Sequence, residues 1–501
     1  MIDIIEIDEH RRLSLDDYAA DARFVGAVAN LRAETARFRF LLDGRTIWMV
    51  NSTAKGGGVA EMLPRLCALI TELGIDIKWA VIKSDREAFF KLTKRIHNLI
   101  HGDLSGGVEL GPEDAALLEE VNRENADSLR PHLKESDILV VHDPQPLPLG
   151  GMLKKSVGLS TVWRCHIGLD QRTDATNSVW HFLRPYIERY DRAAFSMAEY
   201  IPGFLEGRAS IVTPALDPYS HKNRHLLLGK TVGVLCNSGL QPAYGATLAN
   251  DDEYVHKVKR VMPDGSTAVP GEVGLLFRPI VLQVSRWDRL KGWAPLLDGF
   301  IRMKQGLGQD GEGKVMSRNR HRIAQARLVL AGPDPASIAD DPEGVRVFRE
   351  ICSRYRELDS EMQKDVIILQ LPMQSRKQNA LIVNALQRSA AVVVQNSLRE
   401  GFGLTVTEAM WKHLAVLGSS ACGIRNQIRD GIDGLITNDP EDPDEIANNL
   451  WQMLGSPIWR YQMGRSAQMR VYEDFLIFKQ VSRYLKLALS ALGTERISWR
   501  P

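Results

Sequence analysis

Short apolar runs alternate with longer helical stretches along the chain. Residues 45–50 are β-branched and aromatic, a small and polar loop follows at 51–58, and apolar side chains then recur at helical spacing over residues 59–73. Similar apolar runs follow in the first half at 77–82, 137–141, 161–165 and 210–212. Because strands that alternate with helices are typical of parallel sheets, the first half is predicted to be an α/β sheet.

A second series of apolar runs predicts a second sheet of the same kind. These runs have the composition of buried strands and lie at 279–285, 326–331, 366–371, 390–395 and 414–417. The sequence therefore predicts two α/β domains in tandem, over residues 1–225 and 276–474. Between them, residues 226–275 lack periodicity and are interpreted as an irregular connection or insertion, and the polar stretch 304–321 as a surface loop.

Composition and charge exclude several kinds of partner and several classes of protein. The 501 residues carry 63 lysines and arginines against 62 aspartates and glutamates, so neither nucleic acid nor an anionic membrane is expected as a partner. Residues 1–10 are acidic and lack the order of a secretory signal, and no apolar run is long enough to span a bilayer. The five cysteines lie far apart and form neither a disulfide framework nor a metal-binding motif. A reduced, cytoplasmic protein is predicted.

Polar residues follow several of the predicted strands directly, where open α/β sheets bind their ligands. In the first half these are the loop 51–58, the segment 142–145 and His166. In the second half Arg286 follows one strand and Glu400 follows another. Five such positions in two sheets predict a ligand-binding cleft between two domains.

Two groups of residues suit a phosphorylated ligand. The three glycines at 56–58 precede a helix, and without a Cβ they would let an anion approach the free amides of its first turn; a flexible glycine turn is the alternative. Arg286 and Lys291 offer a guanidinium and an ammonium beside a strand end, a pair that suits the charge of a diphosphate leaving group. A solvated basic loop is the alternative for that pair.

Two carboxylates bracket a glycine-containing turn that leads into a helix. Glu400 precedes the turn at 401–403, and Glu408 follows it. Carboxylates near a helix start often act only as caps, but two of them at one turn can also accept hydrogen bonds from neighbouring sugar hydroxyls. The sequence therefore leaves a cap and a sugar site as alternatives here.

The spacing Arg286-x4-Lys291, followed by Glu400-x7-Glu408, resembles that of the retaining nucleotide-sugar glycosyltransferases of family four, which have the GT-B fold. Within that family the chain is similar to the trehalose glycosyltransferring synthases and the retaining trehalose phosphorylases. The resemblance extends from about residue 45 to 492, except for 226–272 and 304–321. The segments that carry it are 50–61, 141–146, 163–167, 188–191, 340–344 and 399–411.

The resemblance implies an α/β protein with two Rossmann-like, doubly wound domains that face each other across a cleft. It also implies that a last helix, at about 475–501, returns to the first domain. In such enzymes Glu408 would bind the ribose hydroxyls of the nucleotide, and Glu400 would bind the donor glucose. Arg286 and Lys291 would neutralise the diphosphate.

Further site residues follow from the same resemblance. His166 is expected beside the transferred sugar, while Asp143 and Gln145 would shape the acceptor pocket. Backbone groups are expected to contact the phosphates or the acceptor, at Gly57 and Gly58 in the first domain and at Gly403, Leu404 and Thr405 in the second.

The implied activity is the reversible synthesis of α,α-trehalose from a nucleoside diphosphate glucose and glucose, with retention at the anomeric carbon. Neither a metal nor a cofactor is expected, because protein cations would take the place of a metal, and the D-x-D pattern at 442–444 is interpreted as a helix cap. A trehalose phosphorylase that yields glucose 1-phosphate is the alternative, and a non-catalytic sensor of sugar nucleotides is a third. The nucleotide base, the preferred direction of reaction and self-association are left open.

Overall fold

The computed structural model describes residues 2–6, 13–54, 58–104, 107, 109–242, 254–306, 320–337 and 342–493. The chain divides into two compact units. Unit 1 comprises Met1–Pro214 and Ile477–Pro501, and unit 2 comprises Ala215–Leu476.

Unit 1 is built on a sheet in which five strands coincide with the apolar runs of the first half, whereas the strands at Asp3–Ile5 and Arg192–Phe195 were not predicted. In chain order the strands are β1 (Asp3–Ile5), β2 (Thr46–Asn51), β3 (Asp76–Val81), β4 (Ile138–His142), β5 (Ser160–Arg164), β6 (Arg192–Phe195) and β7 (Ala209–Ile211). The spatial order is β1-β3-β2-β4-β5-β6-β7, and all neighbours are parallel except β1, which is antiparallel to β3. Strands β2 and β4 are buried along their whole length, as expected for a parallel sheet covered on both faces.

Helices cover the sheet of unit 1. They are α1 (Leu15–Ala19), α2 (Val25–Leu42), α3 (Gly58–Glu72), α4 (Glu87–Ile100), α5 (Pro112–Leu129), α6 (Leu147–Val157) and α7 (Asp174–Ile187). The C-terminal helix Ile477–Ala491 also belongs to this unit, where it packs against α2. Ser482 and Lys486 of the C-terminal helix both bond to Glu34 of α2, each over 2.5 Å.

Unit 2 is built on the second series of apolar runs, which form five of its strands; the strand at Gly434–Thr437 was not predicted. Its strands are β8 (Lys259–Val261), β9 (Thr267–Ala268), β10 (Ile280–Val284), β11 (Arg327–Pro333), β12 (Val366–Leu371), β13 (Val392–Gln395), β14 (Val416–Ser419) and β15 (Gly434–Thr437). The spatial order is β15-β14-β13-β10-β11-β12-β8-β9. Strands β10 to β15 are parallel to their neighbours, whereas β8 runs antiparallel to β12 and β9 antiparallel to β8.

The helices of unit 2 alternate with these strands and enclose an apolar core. They are α8 (Leu228–Asn237), α9 (Trp293–Gln305), α10 (Pro342–Glu357), α11 (Ser360–Asp365), α12 (Arg376–Ser389), α13 (Leu404–Trp411), α14 (Cys422–Arg425), α15 (Pro443–Gly455) and α16 (Pro457–Asp474). The core between α9, α15 and the sheet includes Phe300, Leu296 and Leu450, all fully buried. In chain order the C-terminal helix Ile477–Ala491 is α17.

The structure differs from the predicted domain limits in the middle of the chain. Residues 226–275, interpreted from sequence as an irregular connection, lie in unit 2, where they supply α8 and the β8–β9 hairpin at one edge of the sheet. Strands β8 and β9 have only three and two residues, mostly polar, so no apolar run marked them. Residues 243–253 and most of the predicted loop 304–321 lie outside the described part of the chain.

Residues 215–225 also belong to unit 2 rather than to the first domain. The Leu216 N–H donates to the Phe475 carbonyl over 2.8 Å, and the buried Asn384 of α12 donates to the carbonyls of His221 and Arg224. These long-range bonds hold the segment on unit 2. Within the described residues, no helix combines the length and the apolar composition needed to cross a membrane.

Candidate active site

The strand order of unit 2 creates a switch point at β10. Strand β10 pairs with β11 on one side and with β13 on the other, so the connections that follow β10 and β13 leave the sheet in opposite directions. In open parallel sheets, such a point forms a crevice at the carboxyl ends of the strands, and ligands bind there. Lys291 follows β10 and Glu400 follows β13, so both are brought to this crevice although 109 positions separate them.

Lys291 and Glu400 form an ion pair at this point. The Lys291 Nζ lies 2.7 Å from Glu400 Oε2, and the two side chains are 13% and 15% exposed. The Ser397 hydroxyl donates a second hydrogen bond to the same carboxylate oxygen over 3.0 Å. An ammonium and a carboxylate therefore meet in a mostly desolvated setting where their interaction is stronger than in bulk water.

A buried glutamine joins the two loops that carry this ion pair. The Gln283 side chain donates to the Lys291 carbonyl over 2.8 Å and accepts from the Asn396 N–H over 2.9 Å. Gly292, at a φ of 60°, completes the contact, since a Cβ there would lie 2.0 Å from the Asn396 carbonyl oxygen. The sequence reasoning missed Gln283, whose signal was a single amide side chain within an otherwise apolar strand.

Arg286 lies on the exposed side of the β10 loop. Its side chain is 69% exposed, and its Nη2 lies 3.6 Å from Asp288 Oδ2. The structure thus brings Lys291 and Glu400 into contact. Arg286, five residues before Lys291, instead extends into solvent. A long exposed guanidinium of this kind can turn toward an anion with little loss of existing contacts.

The turn after Glu400 leads directly into α13. Gly403 has a φ of 81°, a conformation that favours glycine, and the next residues Leu404 and Thr405 form the half-buried first turn of the helix. The buried Gln427 braces the turn, because its Nε2 donates to the Phe402 carbonyl and its Oε1 accepts from a hydroxyl of α13. The first amides of a helix lack intrahelical partners and can donate to an anion.

Glu408 lies on α13, and its side chain is only 9% exposed. The Lys222 Nζ lies 3.6 Å from its Oε1. The buried Lys412 donates to the Glu408 carbonyl over 3.0 Å and to the Asn223 side chain over 3.4 Å. Burial lowers the pKa of Lys412 to about 7. Sequence reasoning missed Lys412, which lies four residues after Glu408 and directly follows α13 at its C-terminal end. It also had no signal for Lys222.

In unit 1 the equivalent switch point lies at β2, between β3 and β4. Asp143 follows β4 at a φ of 64° and accepts from the His166 N–H over 2.8 Å, while the Trp163 indole donates to the Asp143 carbonyl over 3.0 Å. Burial raises the pKa of Asp143 to about 6, against the lowering effect of the His166 N–H and of Arg164. The structure therefore places Asp143 and His166 in direct contact.

A second histidine lies against His166. The His142 Nδ1 is 2.9 Å from the His166 Nε2, and the two rings are nearly parallel with centroids 5.2 Å apart. Burial, aided by the Arg164 guanidinium, lowers the pKa of His142 to about 3 and that of His166 well below its ordinary value. The sequence analysis singled out the strand-end segment of His142 but not this pairing.

The remaining residues predicted for the site in unit 1 are Gly57, Gly58 and Gln145. Gly57 lies outside the described residues, and Gly58 is the exposed first residue of α3. Gln145 is half-buried; its carbonyl accepts from Asn122 over 3.0 Å, and its side-chain oxygen is buried without a hydrogen-bond partner in the described part of the chain. Among the described residues, no three His, Cys, Asp or Glu side chains are grouped to hold a metal ion.

The sequence matches two known families. The family described as "Trehalose synthase, N-terminal domain" matches residues 49–202, and the family described as "Glycosyl transferases group 1" matches residues 278–470. The chain is 33% identical over 474 residues to the trehalose synthase of Thermococcus litoralis, an alignment that covers 94% of this chain and 96% of that protein. It is 24% identical to the trehalose phosphorylase of Pleurotus pulmonarius, over 90% of this chain and 58% of that protein.

The structure is similar to that of an α,α-trehalose-phosphate synthase (UDP-forming) from Burkholderia xenovorans, solved in complex with glucose-6-phosphate. The TM-score is 0.63 at 16% sequence identity, and the match covers 89% of this chain and 100% of that one. At this identity the likeness bears on the fold alone. It confirms the predicted GT-B fold.

Proposed function

The chain belongs to the trehalose synthase family of glycosyltransferases, and from that premise we propose that it makes α,α-trehalose by transferring glucose, with retention, from a nucleoside diphosphate glucose to glucose. Family membership by itself supports trehalose-related glycosyl transfer. The observation that carries the finer proposal is the contact of Lys291 with Glu400, at 2.7 Å, beside the start of α13. This contact brings the Lys291 ammonium, which suits a diphosphate, next to the Glu400 carboxylate, which can accept hydrogen bonds from sugar hydroxyls.

In this proposal, unit 2 binds the donor. Lys291 and Arg286 bind the diphosphate, together with the first amides of α13 at Leu404 and Thr405. Glu400 accepts hydrogen bonds from the glucose hydroxyls, and its contacts with Lys291 and Ser397 hold its carboxylate in place. Glu408, farther along the same helix, accepts hydrogen bonds from the ribose hydroxyls.

Transfer would proceed on one face of the donor sugar. The bond between the anomeric carbon and the phosphate oxygen breaks, and that carbon acquires oxocarbenium character. A hydroxyl oxygen of the acceptor glucose bonds to the same face, and its proton passes to the departing phosphate oxygen. Lys291 stabilises the negative charge that develops on the diphosphate, and this contribution is larger in the transition state than in the ground state.

Unit 1 would bind the acceptor. Asp143 and Gln145 follow β4 and offer oxygen atoms that accept hydrogen bonds from sugar hydroxyls, and the buried side-chain oxygen of Gln145 supports such a role. His166 would lie beside the transferred glucose. A cytoplasmic location remains a prediction from the sequence.

Product analysis tests this proposal. The purified protein is incubated with glucose and UDP-, ADP- or GDP-glucose, and separately with trehalose and inorganic phosphate. We expect α,α-trehalose and free nucleoside diphosphate in the first set. Glucose 1-phosphate from the second set alone would instead support a phosphorylase, the activity named in the Pleurotus relative. No product in either set would contradict both.

Glu408→Gln tests the nucleotide contact. Removing the charge of a nearly buried acceptor should weaken nucleoside diphosphate binding about tenfold to a hundredfold, because hydrogen bonds to a charged group contribute roughly 1.5–3 kcal/mol. Isothermal titration measures the Kd. Glu361→Gln, at a glutamate of unit 2 that is 80% exposed, is the control and should bind as the unchanged protein does. If Glu408→Gln bound the nucleoside diphosphate with the same Kd as the unchanged protein, the assignment of Glu408 to the ribose hydroxyls would be wrong.

A further inference from the structure

His142 has a hydrogen-bonding environment that selects one of its two neutral tautomers. Its Nε2 lies 3.4 Å from the Met49 sulfur, and its Nδ1 lies 2.9 Å from the His166 Nε2. A thioether sulfur carries no hydrogen and can only accept. The His142 Nε2 must therefore carry the hydrogen, since the opposite tautomer would set two lone pairs against each other.

The tautomer of His142 in turn determines that of His166. A neutral imidazole has one N–H, so the His142 Nδ1 is an acceptor, and the hydrogen between the two rings belongs to the His166 Nε2. Both rings stay neutral because they are packed in a buried site beside the Arg164 guanidinium, which donates to the Val212 carbonyl over 2.6 Å. His166 is thereby left with an unprotonated Nδ1.

The Nδ1 of His166 ends the series of hydrogen bonds that runs from Met49 through His142 to His166. The backbone of His166 is fixed on both sides, by the Asp143 carboxylate at its N–H and by the Ser196 hydroxyl at its carbonyl. No described residue is bonded to its Nδ1, and the half-buried residue retains access to solvent. The unprotonated Nδ1 in this position can accept a hydrogen bond from a hydroxyl group. Because the ring is neutral, it places no positive charge beside an oxocarbenium-like carbon.

We propose that His142 is a positioning residue that fixes His166 as the Nε2–H tautomer, so that the Nδ1 of His166 accepts a hydrogen bond from a sugar hydroxyl. The role of the Nδ1 rests on the proposed function, which places His166 beside the transferred glucose. The tautomer itself follows from the geometry of Met49, His142 and His166 and from the burial that keeps both rings neutral, and it does not depend on the proposed function.

Nitrogen NMR of the full-length protein with ¹⁵N-labelled histidine rings tests the tautomer directly. We expect the His166 Nε2 to show the signal of a protonated nitrogen and its Nδ1 that of an unprotonated one, with assignment from the signals lost in His166→Gln. The exposed His181 provides the reference for an unconstrained ring. A protonated Nδ1 in His166 of the unchanged protein would overturn the proposal.

Two substitutions of His142 separate positioning from packing. His142→Phe keeps a ring but removes the acceptor, so His166 should show a mixture of tautomers, and turnover should fall roughly tenfold with little change in KM. His142→Asn places an amide oxygen near the position of the Nδ1 and should restore the single tautomer and most of the turnover. A single unchanged tautomer in His142→Phe would contradict the proposal.

Met49→Leu provides an independent test should His142→Phe fail to fold. Leucine has a similar volume but no acceptor, so the His142 ring should lose its preference for Nε2–H and the His166 signals should broaden or shift. Unchanged histidine signals would contradict the proposal. If the tautomers are as expected but no trehalose forms, the proposed function fails and the assignment of the His142 and His166 tautomers stands.

Discussion

Replacement of Gly423 by alanine is predicted to displace the turn that holds Glu400. Gly423 lies in α14, and its N–H donates to the Glu400 carbonyl over 3.3 Å. A Cβ at this position would lie 2.6 Å from the Phe402 Cα and 2.7 Å from both the Glu400 carbonyl oxygen and the Phe402 nitrogen. All three are backbone atoms, so no side-chain rotation can relieve the overlap.

The size of the effect follows from these distances. Ordinary contact begins at 3.4 Å, so the turn and α14 must separate by about 0.8 Å. Overpacking of this kind costs roughly 1–3 kcal/mol in the free energy of unfolding, or about 2–4 °C in melting temperature per kcal/mol. Because Glu400 is carried on the displaced turn, turnover should fall up to about a hundredfold, as expected for a misplacement near 1 Å.

Calorimetry and initial rates of trehalose formation measure the two effects. Gly401→Ala is the matched control, since a Cβ at that position would have no described atom within 4 Å beyond its own chain neighbours, and its backbone is not left-handed. We expect its stability to stay within about 0.5 kcal/mol of the unchanged protein. If Gly423→Ala were as stable and as active as Gly401→Ala, the close packing of α14 on the turn would be refuted.

Two further predictions concern the lysines of unit 2. Lys291→Met should lower turnover by roughly a hundredfold to a thousandfold, with a smaller change in donor KM, because the ammonium acts mainly on charge that develops as the diphosphate leaves; steady-state kinetics check this, and unchanged turnover would remove the assignment. Burial lowers the pKa of Lys412 to about 7, from about 10.4 in an unfolded chain. The unfolded chain therefore binds this proton more tightly between those values, so the free energy of unfolding should rise with pH from about 7 toward 10, by on the order of 2–4 kcal/mol. Lys412→Met should lose this rise in urea unfolding at pH 7 and pH 9.5, and an equal rise in both proteins would contradict the assignment.

Local patterns in the sequence were sufficient to predict five strands in each of the two sheets, but not β1, β6 or β15. The run at 279–285 became β10 and the run at 366–371 became β12, because a strand buried on both faces must be apolar along its length. The spacing of Arg286, Lys291, Glu400 and Glu408 carried the family resemblance, and the comparisons confirmed that resemblance. The strands β8 and β9 escaped prediction because they are short and mostly polar, so no apolar run marks them.

The sequence by itself determined which side chains follow the strands, since the end of an apolar run marks the carboxyl end of a strand. Which of these side chains touch was decided by strand order, a property of the whole sheet. Lys291 meets Glu400 because β13 lies beside β10, and Lys222 reaches Glu408 because the segment after residue 214 is bonded to unit 2. The pairing of His142 with His166 likewise depends on the adjacency of β4 and β5. Contacts between residues far apart in sequence depend on how elements pack, and local periodicity encodes only the face that each element buries.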